Sequence, residues 1–236
     1  LYCFVPDNFG GEKDLQVVGY LFCTGESWHA SRIAGGMSRK NLIRSNVHPY
    51  HVNARVNNRE NFFCDLDIVW KIFDKNLNDI RERFGVKVHA FVLMPNHFHL
   101  ILTTPGDDLG IVMQQFMRSV TRSITFRSER SGRVFSARYH WSLIDNIQYY
   151  DTALKYVYRN PVKSKLTIRA EEYCFSTLQT ILGNKNISFP LEPIIGDPFL
   201  VPEQNLIEFL SWLNIPARTE HDLAIRKALK RSRFVM

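Results

Sequence analysis

Residues 86–104, V-K-V-H-A-F-V-L-M-P-N-H-F-H-L-I-L-T-T, limit the possible folds more than any other stretch of the chain. Two apolar runs flank Met94-Pro95-Asn96, a turn-forming tripeptide, so residues 86–93 and 97–104 pair as an antiparallel hairpin. Side chains alternate between faces along a strand. His97 and His99 therefore share one face, and Phe98 takes the other. Two imidazoles thus head a strand whose remainder, Leu100-Ile101-Leu102, is apolar and reads as buried. At this point the pair is either half of a metal site or simply two histidines at a strand end.

The surrounding segments tell what the hairpin packs against. From Tyr50 onward residues 48–56 alternate, with Tyr50, Val52, Ala54 and Val56 on one face and His51, Asn53 and Arg55 on the other. Leu66, Val69, Trp70, Phe73, Leu77, Ile80 and Phe84 recur at helical spacing over residues 65–84, and Gly85 stops that helix. A second helix spans residues 108–127 on the stripe Leu109, Val112, Met113, Phe116, Val120 and Ile124. Residues 135–141 are short and aromatic and are left unassigned. A third helix covers 145–160 and ends at Pro161. The order strand, helix, hairpin, helix, helix predicts an α+β domain, an antiparallel sheet with packed helices.

Residues 1–36 carry Gly10-Gly11 and Gly35-Gly36 and show no clear period, so they are set apart as an N-terminal extension whose status the sequence leaves open. Met37 opens the working domain, residues 37–170. Residues 171–236 form a C-terminal extension with a proline-rich linker at 189–202, short helices at 204–213 and 220–231, and a basic tail.

The net charge of +7 favours an acidic partner, of which nucleic acid is the commonest. Arg118, Arg122, Arg127, Arg130, Arg133 and Arg138 lie close together, opposed only by Glu129. Guanidinium groups suit phosphate contacts, and the interleaved Phe126, Phe135, Tyr139 and Trp141 suit stacking on unpaired bases. Arg55 and His51, on the polar strand face, are added as candidate DNA contacts. The four cysteines form no C-x-x-C pair, so neither a zinc site nor a disulfide framework is expected, and a reducing cytoplasm fits. No apolar run approaches the roughly 20 residues of a membrane span, and no signal peptide is read.

In the third helix, L-K-Y-V-Y-R-N-P-V at 154–162, Tyr156 has Asn160 at i+4, whereas Tyr149 has only Ala153 there. Two readings stand. Tyr156 is a core side chain and Asn160 a helix-terminal residue before proline, or the two form part of a reaction centre. In the second reading two imidazoles and an amide oxygen hold a divalent ion with positions left open. A phenol, with a pKa of about 10, is a weak nucleophile at neutral pH and would attack a metal-polarised phosphodiester.

Three segments together resemble the HUH-type single-tyrosine transposases, in particular the REP-associated tyrosine transposases. They are R-K-N-L-I-R-S-N-V-H-P-Y-H-V-N-A-R-V-N-N-R-E at 39–60, F-V-L-M-P-N-H-F-H-L-I-L at 91–102 and Y-V-Y-R-N-P-V at 156–162. The resemblance covers about residues 37–166. It implies an HUH endonuclease fold with a ferredoxin-like, palm-like core. It implies that His97 and His99 bind Mg²⁺ or Mn²⁺ and that Asn160 completes the site. Tyr156 then attacks single-stranded DNA beside a hairpin, forms a 5′-phosphotyrosine and permits rejoining without ATP. That agrees with the absence of a P-loop motif. The family contains single-chain members and domain-exchanging dimers, so monomer and homodimer both stay open. Two rivals to this function are a hairpin-binding protein of the same fold that no longer cuts, and a metal-dependent nuclease that uses water.

Overall fold

The computed structural model describes residues 42–106, 108–192, 206–216 and 219–234. The N-terminal extension, most of the proline-rich linker and Arg218 of the tail lie outside the described residues.

The sheet has four antiparallel strands in the order β2-β3-β1-β4, with β1 at Tyr50–Arg55, β2 at Lys87–Met94, β3 at His97–Thr103 and β4 at His140–Leu143. The β2–β3 hairpin closes through Pro95 and Asn96 alone, because Met94 still pairs with His97. β4 comes from the aromatic stretch left unassigned by its sequence. It is four residues long, too short for alternation to show, and is fixed by pairing with β1, where Trp141 faces Val52.

α1 (Leu66–Phe84) and α2 (Leu109–Ser128) cover one face of the sheet. Their stripes meet Tyr50, Val52, Ala54, Phe91, Leu93, Phe98, Leu100 and Leu102 in the larger core. Gly85 caps α1 at φ 64°, a left-handed conformation that glycine adopts without strain. Asp108 caps α2 by accepting from the Gly110 amide at 2.6 Å.

α3 (Ile147–Tyr158) lies on the opposite face, against Ala90, Val92, Met94 and Ile101. It breaks at Arg159, but the chain continues as one further turn, α4 (Asn160–Lys163). Pro161 does not stop the helical path as expected. It stands in the first turn of α4, where a missing N–H costs nothing. α5 (Leu178–Ile181), α6 (Leu206–Asn214) and α7 (Thr219–Ala228) follow. Phe209, Leu213, Ile225, Leu229 and Phe234 join the core beneath α3, so the described C-terminal segments are built into this face.

Both sheet edges are covered, which blocks strand addition from another chain. Along β2, the Leu93 amide donates to Phe175, the Thr177 amide to Phe91 and the Glu192 amide to Val88, at 2.8–2.9 Å. Along β4, the Leu143 amide donates to Ser232 and the Phe234 amide to Leu143. Among the described residues no helix is long and apolar enough to cross a membrane.

Candidate active site

The α3-facing side of the sheet carries the polar row of β1 beside the histidines of β3. Pairing sets Arg55 opposite His97, Asn53 opposite His99 and His51 opposite Ile101, so all six residues share a face. The pleat therefore brings together three imidazoles that lie far apart in the chain. The rings of His97 and His99 are 5.1 Å apart between centroids. Those of His99 and His51 are also 5.1 Å apart, side by side with planes tilted by 22°, and His51 Nε2 lies 2.9 Å from His99 Nδ1. α3 sets Tyr156 against this row, its ring edge-on at 5.6 Å from His99 and 6.2 Å from His51. Tyr156 is half-buried. The structure thus unites His97, His99 and Tyr156.

Asn160 follows Tyr156 by four residues, one turn along the chain. It is buried, and its amide nitrogen donates to the Tyr156 carbonyl at 2.8 Å. A carbonyl only accepts, so the contact is made by Nδ2 and leaves Oδ1 out of it.

The hydrogen bonds also settle the protonation of His97. Asn96 Nδ2 donates to the Arg59 carbonyl at 3.0 Å, which leaves Asn96 Oδ1 facing His97 Nδ1 at 2.7 Å. Only an Nδ1–H can satisfy that oxygen, so Nε2 of His97 carries the lone pair. Burial, and then the charge of Arg55, lower the His97 pKa to about 4. Burial lowers that of His51 to about 3. His99 falls well below its ordinary value through burial first and then the neighbouring His51, His97, Arg55 and Lys163. All three are neutral at pH 7, the state in which imidazole binds a metal.

Among the described residues no three His, Cys, Asp or Glu side chains form a metal-binding group. His51 spends its Nε2 on His99 instead. The groups that would hold a divalent ion are His97 and His99, with the Asn160 amide oxygen and oxygens from substrate or solvent for the remainder.

His51 is wholly buried, so it is not a DNA contact: no part of the ring reaches a surface where a phosphate could lie. Arg55 is exposed at the rim of the histidine row. Arg118, Arg122, Arg133 and Arg138 line one cleft of about 620 Å³ between α2 and the segment leading to β4, together with Tyr139 and Phe135. Arg127 is exposed on α2 but outside that lining, and Arg130 lies over the Phe63 ring, 4.2 Å from its centroid. Phe135 and Trp141 are largely buried, Phe135 reaching the cleft wall only with its edge of exposed surface, whereas Phe126 is exposed.

Lys163 escaped the sequence reading. Its ammonium sits over the Tyr156 ring, 4.5 Å from the centroid. Its position seven residues after Tyr156, two turns along a helical path, was the available signal. The Pro161 stop hid it.

Residues 45–160 match the family model described as "Transposase IS200 like". Through this segment the chain is similar to the IS200-like transposases. The enzyme is accordingly a DNA transposase of the HUH endonuclease kind, and its family segment runs from the approach to β1 through Asn160. The fold of the transposase is shared with a solved REP-associated tyrosine transposase bound to a REP hairpin. Identity is 19%, with a TM-score of 0.53, over 66% of this chain and 93% of that one. A Deinococcus radiodurans protein provisionally described as a transposase aligns at 18% identity over 51% of this chain and 96% of that one, with a TM-score of 0.35. No curated protein matches the chain.

Proposed function

We propose that this transposase is a metal-dependent strand transferase acting on single-stranded DNA beside hairpins, with Tyr156 as nucleophile. The observation that carries the reading is the placement of the Tyr156 ring 5.6 Å from His99, within the family segment. The phenol oxygen attacks the phosphorus, and the bond from phosphorus to the 3′ oxygen breaks. A free 3′-OH leaves, and the 5′ phosphate stays on Tyr156. The reverse attack by a 3′-OH restores a phosphodiester and releases the tyrosine. His97, His99 and Asn160 would hold Mg²⁺ or Mn²⁺, which supplies Lewis-acid polarisation of the phosphate when bound. Lys163 places a positive charge beside the phenol where negative charge develops.

A hairpin as partner is carried over from the REP-associated relative, which is bound to one. The arginine cleft suits DNA phosphates. It lies on the α2 side of the sheet, away from Tyr156. Arg55 connects the two regions: its carbonyl accepts from the Ser136 amide at 3.0 Å, and it pairs with His97. A strand leaving the cleft past Arg55 reaches the histidine row.

The test uses 3′-end-labelled single-stranded DNA carrying a hairpin, incubated with Mn²⁺ and run on a denaturing gel. The expected product is a labelled band covalently attached to protein, present for the wild type and absent for Tyr156→Phe. Cleavage without an adduct would establish the water-using nuclease, and binding without cleavage the silent binder. An adduct that survives Tyr156→Phe would remove Tyr156 from its role.

A further inference from the structure

We infer that His51 is a positioning residue that fixes the ring of His99 in the tautomer able to bind the metal. This rests on the metal reading above and deepens it. The contact is His51 Nε2 to His99 Nδ1 at 2.9 Å, between rings that lie side by side with planes tilted by 22°. Two neutral imidazoles share one proton along that line. If His51 donates it, His99 must carry its other proton on Nε2 and can bind no ion there. If His99 donates it, Nε2 of His99 keeps its lone pair. The accepting role of His51 is therefore a condition for a metal on His99 Nε2.

The architecture holds His51 to this one task. It is fully buried in the central strand β1, diagonally across from His99. Its Nδ1 has no hydrogen-bond partner among the described residues. The ring's single polar contact there is the one to His99. Its cross-strand neighbour Ser142 is equally buried, with its hydroxyl also unpaired among the described residues. His97 has an analogous support, because Asn96 Oδ1 takes its Nδ1 proton. Each histidine of the pair thus has a separate acceptor behind it, supplied by the turn for His97 and by β1 for His99. Outer contacts of this kind orient metal-binding imidazoles and raise their basicity.

The test uses the full chain without DNA. In the metal-free wild type, ¹⁵N ring correlations assigned against His99→Ala should show His99 protonated at Nδ1. His51→Phe, which keeps a ring but no acceptor, should lose about 10–100-fold in Mn²⁺ affinity, read from the free Mn²⁺ resonance in spin-resonance titrations. His51→Gln, whose amide oxygen reaches a similar place, should restore most of it. Wild-type His99 protonated at Nε2 overturns the inference, as does a folded His51→Phe with wild-type affinity. Equal loss in the phenylalanine and glutamine variants also overturns it, as that marks a packing role. A wild type that takes up no Mn²⁺, or uptake that survives His97→Ala, overturns the metal reading itself and this inference with it.

Discussion

His89 shows what burial does to a single titratable group in this chain. Its Nδ1 contacts the Glu192 carbonyl at 2.7 Å and its Nε2 the Thr103 hydroxyl at 2.8 Å. Burial lowers its pKa to about 4, with the Glu192 contact opposing and the Lys87 charge reinforcing the shift. A histidine with a depressed folded pKa leaves the unfolded state binding more protons below pH 6.5. Stability is therefore whole above pH 6.5 and falls as the pH drops through about 4. Each such group costs about 1.4 kcal/mol per pH unit in that window. Urea denaturation at pH 7, 6 and 5 should show a falling midpoint, less steep in His89→Gln, which keeps polar contacts but does not titrate. An unchanged slope in that variant would refute the assignment. The other tyrosines of α3 are anchored as well. Tyr149 packs edge-on against Phe234 at 5.5 Å, and the Tyr158 hydroxyl lies 3.2 Å from that of Thr177. Tyr158→Phe should cost about 1 kcal/mol of stability and leave adduct formation intact.

At the scale of elements, α3 decides whether Tyr156 meets the histidines, and its seating depends on the C-terminal helices. Asn146 caps its start by accepting from the Gln148 amide at 2.8 Å. Near its end Lys155 Nζ donates to the Trp212 carbonyl at 2.6 Å, and the buried Arg159 donates to that of Leu213 at 2.9 Å. Two cations thus satisfy the last carbonyls of α6, at the end where the helix dipole is negative. Arg159→Met removes a buried charged hydrogen bond and should destabilise the protein by about 1–3 kcal/mol, measured by thermal or urea denaturation. It should also reduce the rate of adduct formation, since the turn carrying Asn160 and Lys163 follows directly. A variant with wild-type stability would show that α6 does not brace α3.

The described residues divide between the two faces of the sheet. One carries the larger core and the arginine cleft, the other the histidine row and the tyrosine helix. DNA affinity and chemistry should consequently separate. Replacing Arg118 and Arg122 by alanine should weaken DNA binding at every sequence and lower the salt dependence by roughly 1 per lost phosphate contact. The Mn²⁺ affinity of the same variant should not change. Binding measured between low and moderate salt with an unaltered slope would place the DNA elsewhere.

Much of this was legible in local pattern. The helical stripes of α1 and α2, the Gly85 cap and the β2–β3 hairpin follow from periodicity and turn chemistry, which act between near neighbours. So does the common face of His97 and His99, and the i+4 relation of Tyr156 and Asn160. Tertiary pairing decided the rest. β4 has too few residues to declare itself without β1. The bulge at His89 shifts register between Val88 and Ala90, and no local signal marks it. The Pro161 signal was read as a stop, yet Lys163 lies beside the phenol because a proline in the first turn of a helix costs nothing. His51 read as a candidate DNA contact on a polar strand face. Only the register of β1 against β3, covered by α3, buries it and turns its Nε2 to His99. A side chain's environment depends on what packs over it, and residues more than forty positions away along the chain supply that.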